Sequence, residues 1–264
     1  MLLSLFGLIV SSSAQDVKYT NYFNVPSPIK TESYRVTFKN PVSKYNYCKV
    51  GLQIDNLTNS FLLFKKEESN FTFDFGKFQA KKKSIVIRPN NKKMPTLKVE
   101  GANQFLVNNY TLNLSGFYRV PINGRVIKME DFKLPANKSI IKSENIEVKI
   151  LKLKKKTQET LVTFEVRYYG DKIAIIDESN LVVKIESGEE FINDHTKARP
   201  KLLEKGGKIK IKALFHIPAK TADMQFENML IVWKNTFIES KIIAVPSEVI
   251  KFTINEGLTK GKNK

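Results

Sequence analysis

Two histidines and one cysteine are all the imidazole and thiol groups this chain offers, too few for a Cys/His zinc cluster. His195 lies in the polar stretch Asp194-His195-Thr196. His216 falls on the polar phase of an alternating segment, between Phe215 and Ile217. Both are expected at ordinary surface or sheet-edge positions. Cys48 is in phase with Val50, Leu52 and Ile54 and reads as a small buried hydrophobe, with an intermolecular disulfide or a reactive thiol as the alternative. No Gly-X-Ser-X-Gly elbow occurs, and a histidine-dependent triad has only two candidate bases. The stretch Gly257-Leu-Thr-Lys-Gly-Lys262 misses the spacing of a phosphate-cradling loop. Asp74-Phe75-Gly76 follows Phe71 and Phe73 on an every-other-residue rhythm, and that alternation marks a strand. Glu186, Glu189, Glu190 and Asp194 form the one acidic cluster, without the regular oxygen spacing of a calcium loop. What remains for carboxylate chemistry is a pair of distant acids acting as in a glycosidase. Glu189, Glu190 or Asp194 at the mouth of a sandwich are the candidates for that hydrolase alternative. No catalytic residue, cofactor site or metal site is expected.

Charge is the other chemical resource. The chain carries 44 basic and 26 acidic residues, a formal net charge of +18. Residues 15–140 hold 21 basic and 9 acidic side chains and the remainder 23 and 17, so the bias is stronger in the first part. Arginine occurs only at positions 35, 88, 119, 125, 167 and 199, and the rest of the positive charge is lysine. Base reading and specific phosphate recognition favour arginine forks, so a lysine-dominated surface fits non-specific attraction to anions, or solubility and genome composition. The basic runs are Lys81, Lys82 and Lys83, then Lys92 and Lys93, then Lys152, Lys154, Lys155 and Lys156. They are the candidate contacts for an anionic ligand. The last run is expected to tip a hairpin. Phe71, Phe73, Phe75 and Phe78 are expected in a core, with an exposed docking stripe as the alternative.

The elements that must position these residues are strands. Tyr34, Val36 and Phe38 alternate with polar neighbours, as do Ile146, Val148 and Ile150, Val162, Phe164, Val166 and Tyr168, Ile209, Ile211 and Ala213, and Ile250, Phe252 and Ile254. Period-two alternation puts one apolar face inward and one polar face toward water. Turn signals such as Asn40-Pro41, Asn123-Gly124, Gly170-Asp171 and Gly206-Gly207 separate the runs. Lys220–Phe226 is expected to form a short helical turn. The chain therefore predicts an all-β protein of two tandem sandwich domains, 15–140 and 141–257, followed by a frayed basic tail over 258–264. The two parts read as diverged copies, with Val50–Asn56, Ile85–Pro89 and Leu97–Val99 answered by Leu161–Gly170, Arg199-Pro200 and Ile209–Lys212.

The first 14 residues read as a signal peptide. Leu2–Val10 is apolar, and small residues at Ser12 and Ala14 place cleavage before Gln15, although no basic residue precedes the apolar run. Export with a single thiol implies no internal disulfide, and no other apolar stretch has membrane-spanning length. Five Asn-X-Ser/Thr sequons occur, at Asn56, Asn70, Asn109, Asn113 and Asn137.

Tyr169-Gly170, Leu181–Ile185, Gly206–Pro218 and Leu230–Trp233 follow one another in a pattern that resembles the telokin-like, immunoprotective-extracellular type of bacterial immunoglobulin-like domain. The resemblance covers about Ile146 to Ile254 and lacks the lipid-attachment cysteine of the usual secreted examples. It implies tandem immunoglobulin-like sandwiches and an envelope or surface binding module, and it carries no functional residues. The expected function is an exported, non-enzymatic binding or assembly module, periplasmic or extracellular, docking another cell-envelope protein. The alternative is a binder of an anionic polymer, whether acidic polysaccharide, lipid phosphate or DNA, through the lysine runs.

Overall fold

The computed structural model describes residues 19–101, 105–135 and 139–264, so the expected signal peptide and Asn137 lie outside the described residues. Strand is the dominant regular structure of the described residues, beside one short helix, and antiparallel sheets build a β-sandwich-like fold.

In chain order, β1 (Asn21–Tyr22) and β2 (Ile29–Lys30) flank β3 (Tyr34–Lys44), which turns into β4 (Tyr47–Asn56). Then come β5 (Phe61–Lys65), β6 (Asn70–Phe73), β7 (Gly76–Gln79), β8 (Ser84–Ile87), β9 (Lys92–Lys93), β10 (Thr96–Glu100), β11 (Asn109–Leu114) and β12 (Phe117–Val120). A second series follows: β13 (Arg125–Val126), β14 (Phe132–Leu134), β15 (Ile140–Ser143), β16 (Ile146–Lys156), β17 (Glu159–Tyr168), β18 (Ile173–Ile176), β19 (Leu181–Ile185), β20 (Glu190–Ile192), β21 (Lys201–Leu203), β22 (Lys208–His216), β23 (Met229–Trp233) and β24 (Phe237–Ser240). The chain closes with β25 (Ile243–Ala244), β26 (Glu248–Thr253) and α1 (Glu256–Lys262).

The two series repeat one plan. Each has a hairpin sheet, β1-β3-β4-β10 in the first and β15-β16-β17-β22 in the second. Facing it are two short sheets of identical strand order laid end to end, β25-β12-β5-β8 with β26-β11-β6-β7, and β13-β24-β18-β21 with β14-β23-β19-β20. Alternating side chains from the hairpin sheet, such as Val36, Val50 and Leu52, meet Phe64, Phe71, Leu112 and Phe252 in the first core. Val148, Val162, Phe164 and Ile211 meet Val183, Ile231 and Trp233 in the second. Cys48 is wholly buried in the first core, in phase with Val50, Leu52 and Ile54, where burial pushes its thiol pKa up.

The pairings cross the expected boundary at 140/141 in both directions. β13 and β14, which follow the first series, pair with β24 and β23. β25 and β26, which follow the second, pair with β12 and β11. The β13–β14 segment that follows the first series thus completes sheets of the second, and the β25–β26 segment completes sheets of the first. The exchange is fixed where the connections pass: Ser240 Oγ donates to the Pro121 carbonyl at 2.7 Å. Gly124 lies so close that a Cβ there would come within 2.4 Å of the Glu239 carbonyl oxygen. A third apolar cluster joins the halves, with Phe61, Leu63 and Val120 on one side and Ile173 and Ile175 on the other. The runs Phe61–Phe64 and Ile173–Ile176 are buried on both faces, one facing each sandwich core and the other this junction, so they show no alternation.

The expected frayed tail is a docked helical turn. Asn255 caps it through Leu258 N–H, Thr259 is buried, and Asn263 Nδ2 donates to the Thr20 carbonyl at 2.8 Å. Residues 220–226 form turns closed by the Pro218 and Asp223 carbonyls, with no helix. Of the sequons, Asn56 and Asn70 are buried, and the Asn56 amide is spent on the Ser60 and Arg88 carbonyls at 2.8 and 2.9 Å.

Candidate anion-binding face

The hairpin sheet of the second half turns one face to its core and the other to water. In an antiparallel ladder, directly paired residues point to the same side, so the outer face can be read row by row from the register. The rows are Lys142, Glu147, Arg167 and Lys208; then Ile140, Lys149, Glu165 and Lys210; then Lys152, Thr163 and Lys212; then Lys154, Leu161 and Leu214; and finally Lys156, Glu159 and His216. Nine basic side chains share the face with three acidic ones.

A β-bulge sets this arrangement. Register shifts between Ile150 and Lys152, leaving Leu151 as the extra residue. Uninterrupted alternation from Ile146 would turn Lys152, Lys154 and Lys156 into the core. The bulge reverses the phase, so these lysines face out and Leu153 turns toward the core. Successive outward side chains on one strand lie about 6.7 Å apart, and strands about 4.8 Å apart. The lysine columns of β16 and β22 therefore run side by side, roughly 9.6 Å apart, with β17 between them.

The three carboxylates are already engaged. Lys142 Nζ pairs with Glu147 at 3.0 Å, Arg167 with Glu165 at 2.9 Å and Lys156 with Glu159 at 3.1 Å. The hydrogen bond from Arg167 holds the Glu165 carboxyl below the usual carboxylate range, with the nearby Lys208 and Lys149 charges acting in the same direction. Glu159 is lowered chiefly by its hydrogen bond from Lys156. Lys149, Lys152, Lys154, Lys208, Lys210 and Lys212 form no close ion pair among the described residues, although Lys149 and Lys208 lie near Glu165. Columns of like charge within about one Debye length repel one another, and a polyanion relieves that repulsion.

The face is held in orientation by Glu239, a buried carboxylate on β24. It accepts from Tyr168 Oη at 2.8 Å and Asn145 Nδ2 at 3.1 Å, and pairs with Arg125 at 3.1 Å and Lys172 at 3.2 Å. Burial raises its pKa, but the four donors outweigh burial and bring it down to about 2. Tyr168 and Asn145 belong to the strand and turn that frame the basic sheet, whereas Arg125 comes from the exchanged strand β13. Gly170 leaves room for the contact, since a Cβ there would lie 2.4 Å from Tyr168 Oη.

The candidate lysines divide accordingly. Lys152, Lys154 and Lys156 join the face, and the run does lead into the β16–β17 hairpin turn. Lys155 leaves it, half-buried with Nζ on the Glu227 carbonyl at 2.7 Å, its pKa lowered by burial. Lys81 pairs with Glu100, which also holds Lys98, and Lys83 gives its backbone N–H to Glu67 at 3.1 Å. Lys82 is exposed in the same connection between β7 and β8. Lys92 and Lys93 form the two-residue edge strand beside Asp55 and Ile54. The more basic part of the chain thus spreads its charge, and the ordered array lies in the less basic part. Lys149, Lys208, Lys210, Lys212 and Arg167 were not singled out by sequence. The Lys-Ile-Lys-Ile-Lys alternation at 208–212 holds the signal for one column, while its alignment with β16 is a matter of register.

The acidic candidates do not converge. Glu186 accepts from Asn228 at 2.6 Å, Glu190 pairs with Lys234, and Asp194 holds His216 Nδ1 at 2.8 Å. The cavity that Glu186 lines, about 380 Å³, includes none of Glu189, Glu190 or Asp194. No group of three or more metal-ligating side chains is assembled among the described residues. Phe71 and Phe73 are buried, whereas Phe75 is exposed and stacks on Phe73 with ring centres 5.1 Å apart.

No protein-family model matches the chain, and no curated protein matches it. Among solved structures, procruciferin, an 11S globulin from Brassica napus, aligns at 10% identity over 93% of this chain and 86% of its own, with a TM-score of 0.18. AerE from Microcystis aeruginosa aligns at 10% identity over 89% of this chain and 99% of its own, with a TM-score of 0.12. No helix among the described residues is long and apolar enough to cross a membrane.

Proposed function

We propose that this protein is an exported, non-enzymatic module of the cell envelope that binds an acidic polysaccharide along the outer face of the β15-β16-β17-β22 sheet. What carries the reading is the pair of lysine columns on β16 and β22, in which Lys152, Lys154, Lys210 and Lys212 form no close ion pair among the described residues. Polysaccharide is favoured over nucleic acid because Arg167 is the one arginine in the outward rows, and base reading favours arginine forks. The apolar leader over residues 2–10 supports export, to the periplasm or the cell exterior. The repeated strand order supports reading each half as an immunoglobulin-like sandwich, in keeping with the telokin-like resemblance. Retention on a heparin column tests the function. The protein should elute well above physiological salt, and Lys152, Lys154, Lys210 and Lys212 changed together to Gln should bring elution down sharply; an unchanged elution position would reject the reading.

A second reading, docking to an envelope protein, draws on Ile192 (73% exposed) at the edge of its sheet and Phe226 (78% exposed). Changing both to Ser should abolish capture of an envelope partner while leaving heparin retention intact.

A further inference from the structure

We propose that the cleft between the two halves is a separate site for a compact phosphate monoester. It encloses about 330 Å³ where β8 and β21, equivalent edge strands of the two copies, come together. That volume is at the small end of ligand pockets, enough for a phosphate and one ring. Val86 and Leu202 line it and also pack against the apolar cluster that joins the halves, so its floor is part of the junction. Arg88 and Lys93 enter from the first half and Lys201 from the second, and no carboxylate lines the cleft.

The charges are not equivalent. Lys201 Nζ is met by the buried Glu178 at 2.9 Å, so its charge is answered within the protein. Arg88 and Lys93 have no acidic partner among the described residues. Two uncompensated cations in a concave, partly apolar setting match a phosphate monoester, which carries about −1.5 to −2 at pH 7, better than a singly charged carboxylate or sulfate ester. Arg88 supplies the planar fork that grips two phosphate oxygens at once. The apolar floor covers the organic part of the ligand. Because the lining comes from both halves, an occupied cleft ties them together and raises the stability of the whole chain.

The site does not depend on the polysaccharide face, and the experiment separates the two. The full chain is titrated calorimetrically at fixed ionic strength with phenyl phosphate, inorganic phosphate and phenyl sulfate. Phenyl phosphate should bind one per chain, at least about tenfold more tightly than either control, because only it offers both the dianion and a ring for the floor. Arg88→Ala with Lys93→Ala should weaken it at least tenfold and leave heparin elution in place. Both side chains are exposed and unpaired, so these variants keep the fold. The Lys152, Lys154, Lys210 and Lys212 variant should bind phenyl phosphate like the parent. Absence of binding by the parent chain, equal binding of phenyl sulfate, or unchanged affinity in the Arg88/Lys93 variant would overturn the proposal.

Discussion

At the residue scale the structure turns on Glu239. A carboxylate is buried at the joint between sheets because four donors converge on it, and removing one member of such a group leaves the others uncompensated. Glu239→Ala should lower unfolding free energy by about 3–5 kcal/mol in urea titrations, the range for breaking a buried charged pair. Acid acts on the same group. Its folded pKa is depressed to about 2, so the stability it contributes is fully present above the ordinary glutamate range near 4.5 and is lost as pH falls from there toward 2. Melting temperature should drop over that interval in the parent chain and less steeply in Glu239→Gln. Gly170→Ala should also be destabilising, since the added methyl meets Tyr168 Oη and the Asn145 amide, and the same urea titration reads it.

At the scale of elements, the bulge at Leu151 decides what the basic run does. The lysines from 152 to 156 are uninformative as a run. Their role follows from a phase change that lets Leu153 turn toward the core. Deleting Leu151 would place Lys152 directly after Ile150 and keep the outward phase, so the deletion should retain heparin binding and cost mainly local stability. Inserting one alanine after Lys152 should instead turn Lys154 and Lys156 toward the core and lower both melting temperature and heparin elution.

The alternating strands were legible because one-sided burial writes itself into sequence as period two, as in Val162–Tyr168 and Ile209–Ala213. Phe61–Phe64 and Ile173–Ile176 carry no period-two signal, since burial on both faces removes the alternation. The columns on β16 and β22 were half-legible. Each is visible within its own strand, but only the register joins them, and register depends on long-range pairing.

At the scale of the molecule, the reciprocal exchange of β13–β14 and β25–β26 makes neither half complete. A cut at 140/141 leaves the first part without β25 and β26, exposing the β11–β12 edge, and takes β13 and β14 away from the second. The separate pieces 15–140 and 141–264 should therefore be unfolded or aggregate when expressed alone. The intact chain should unfold in one transition by both far-ultraviolet dichroism and Trp233 fluorescence, because each core holds a strand from the other copy.

The proposed polyanion binding rests on the unpaired lysines of one sheet face. The most direct measurement is the heparin affinity of the parent chain and of the Lys152, Lys154, Lys210 and Lys212 to Gln variant across a salt series. The slope of log K against log salt should be steeply negative for the parent and shallower by roughly one for each lysine removed, about four in all. Parallel lines with the same slope would place the contact elsewhere on the molecule and contradict the account.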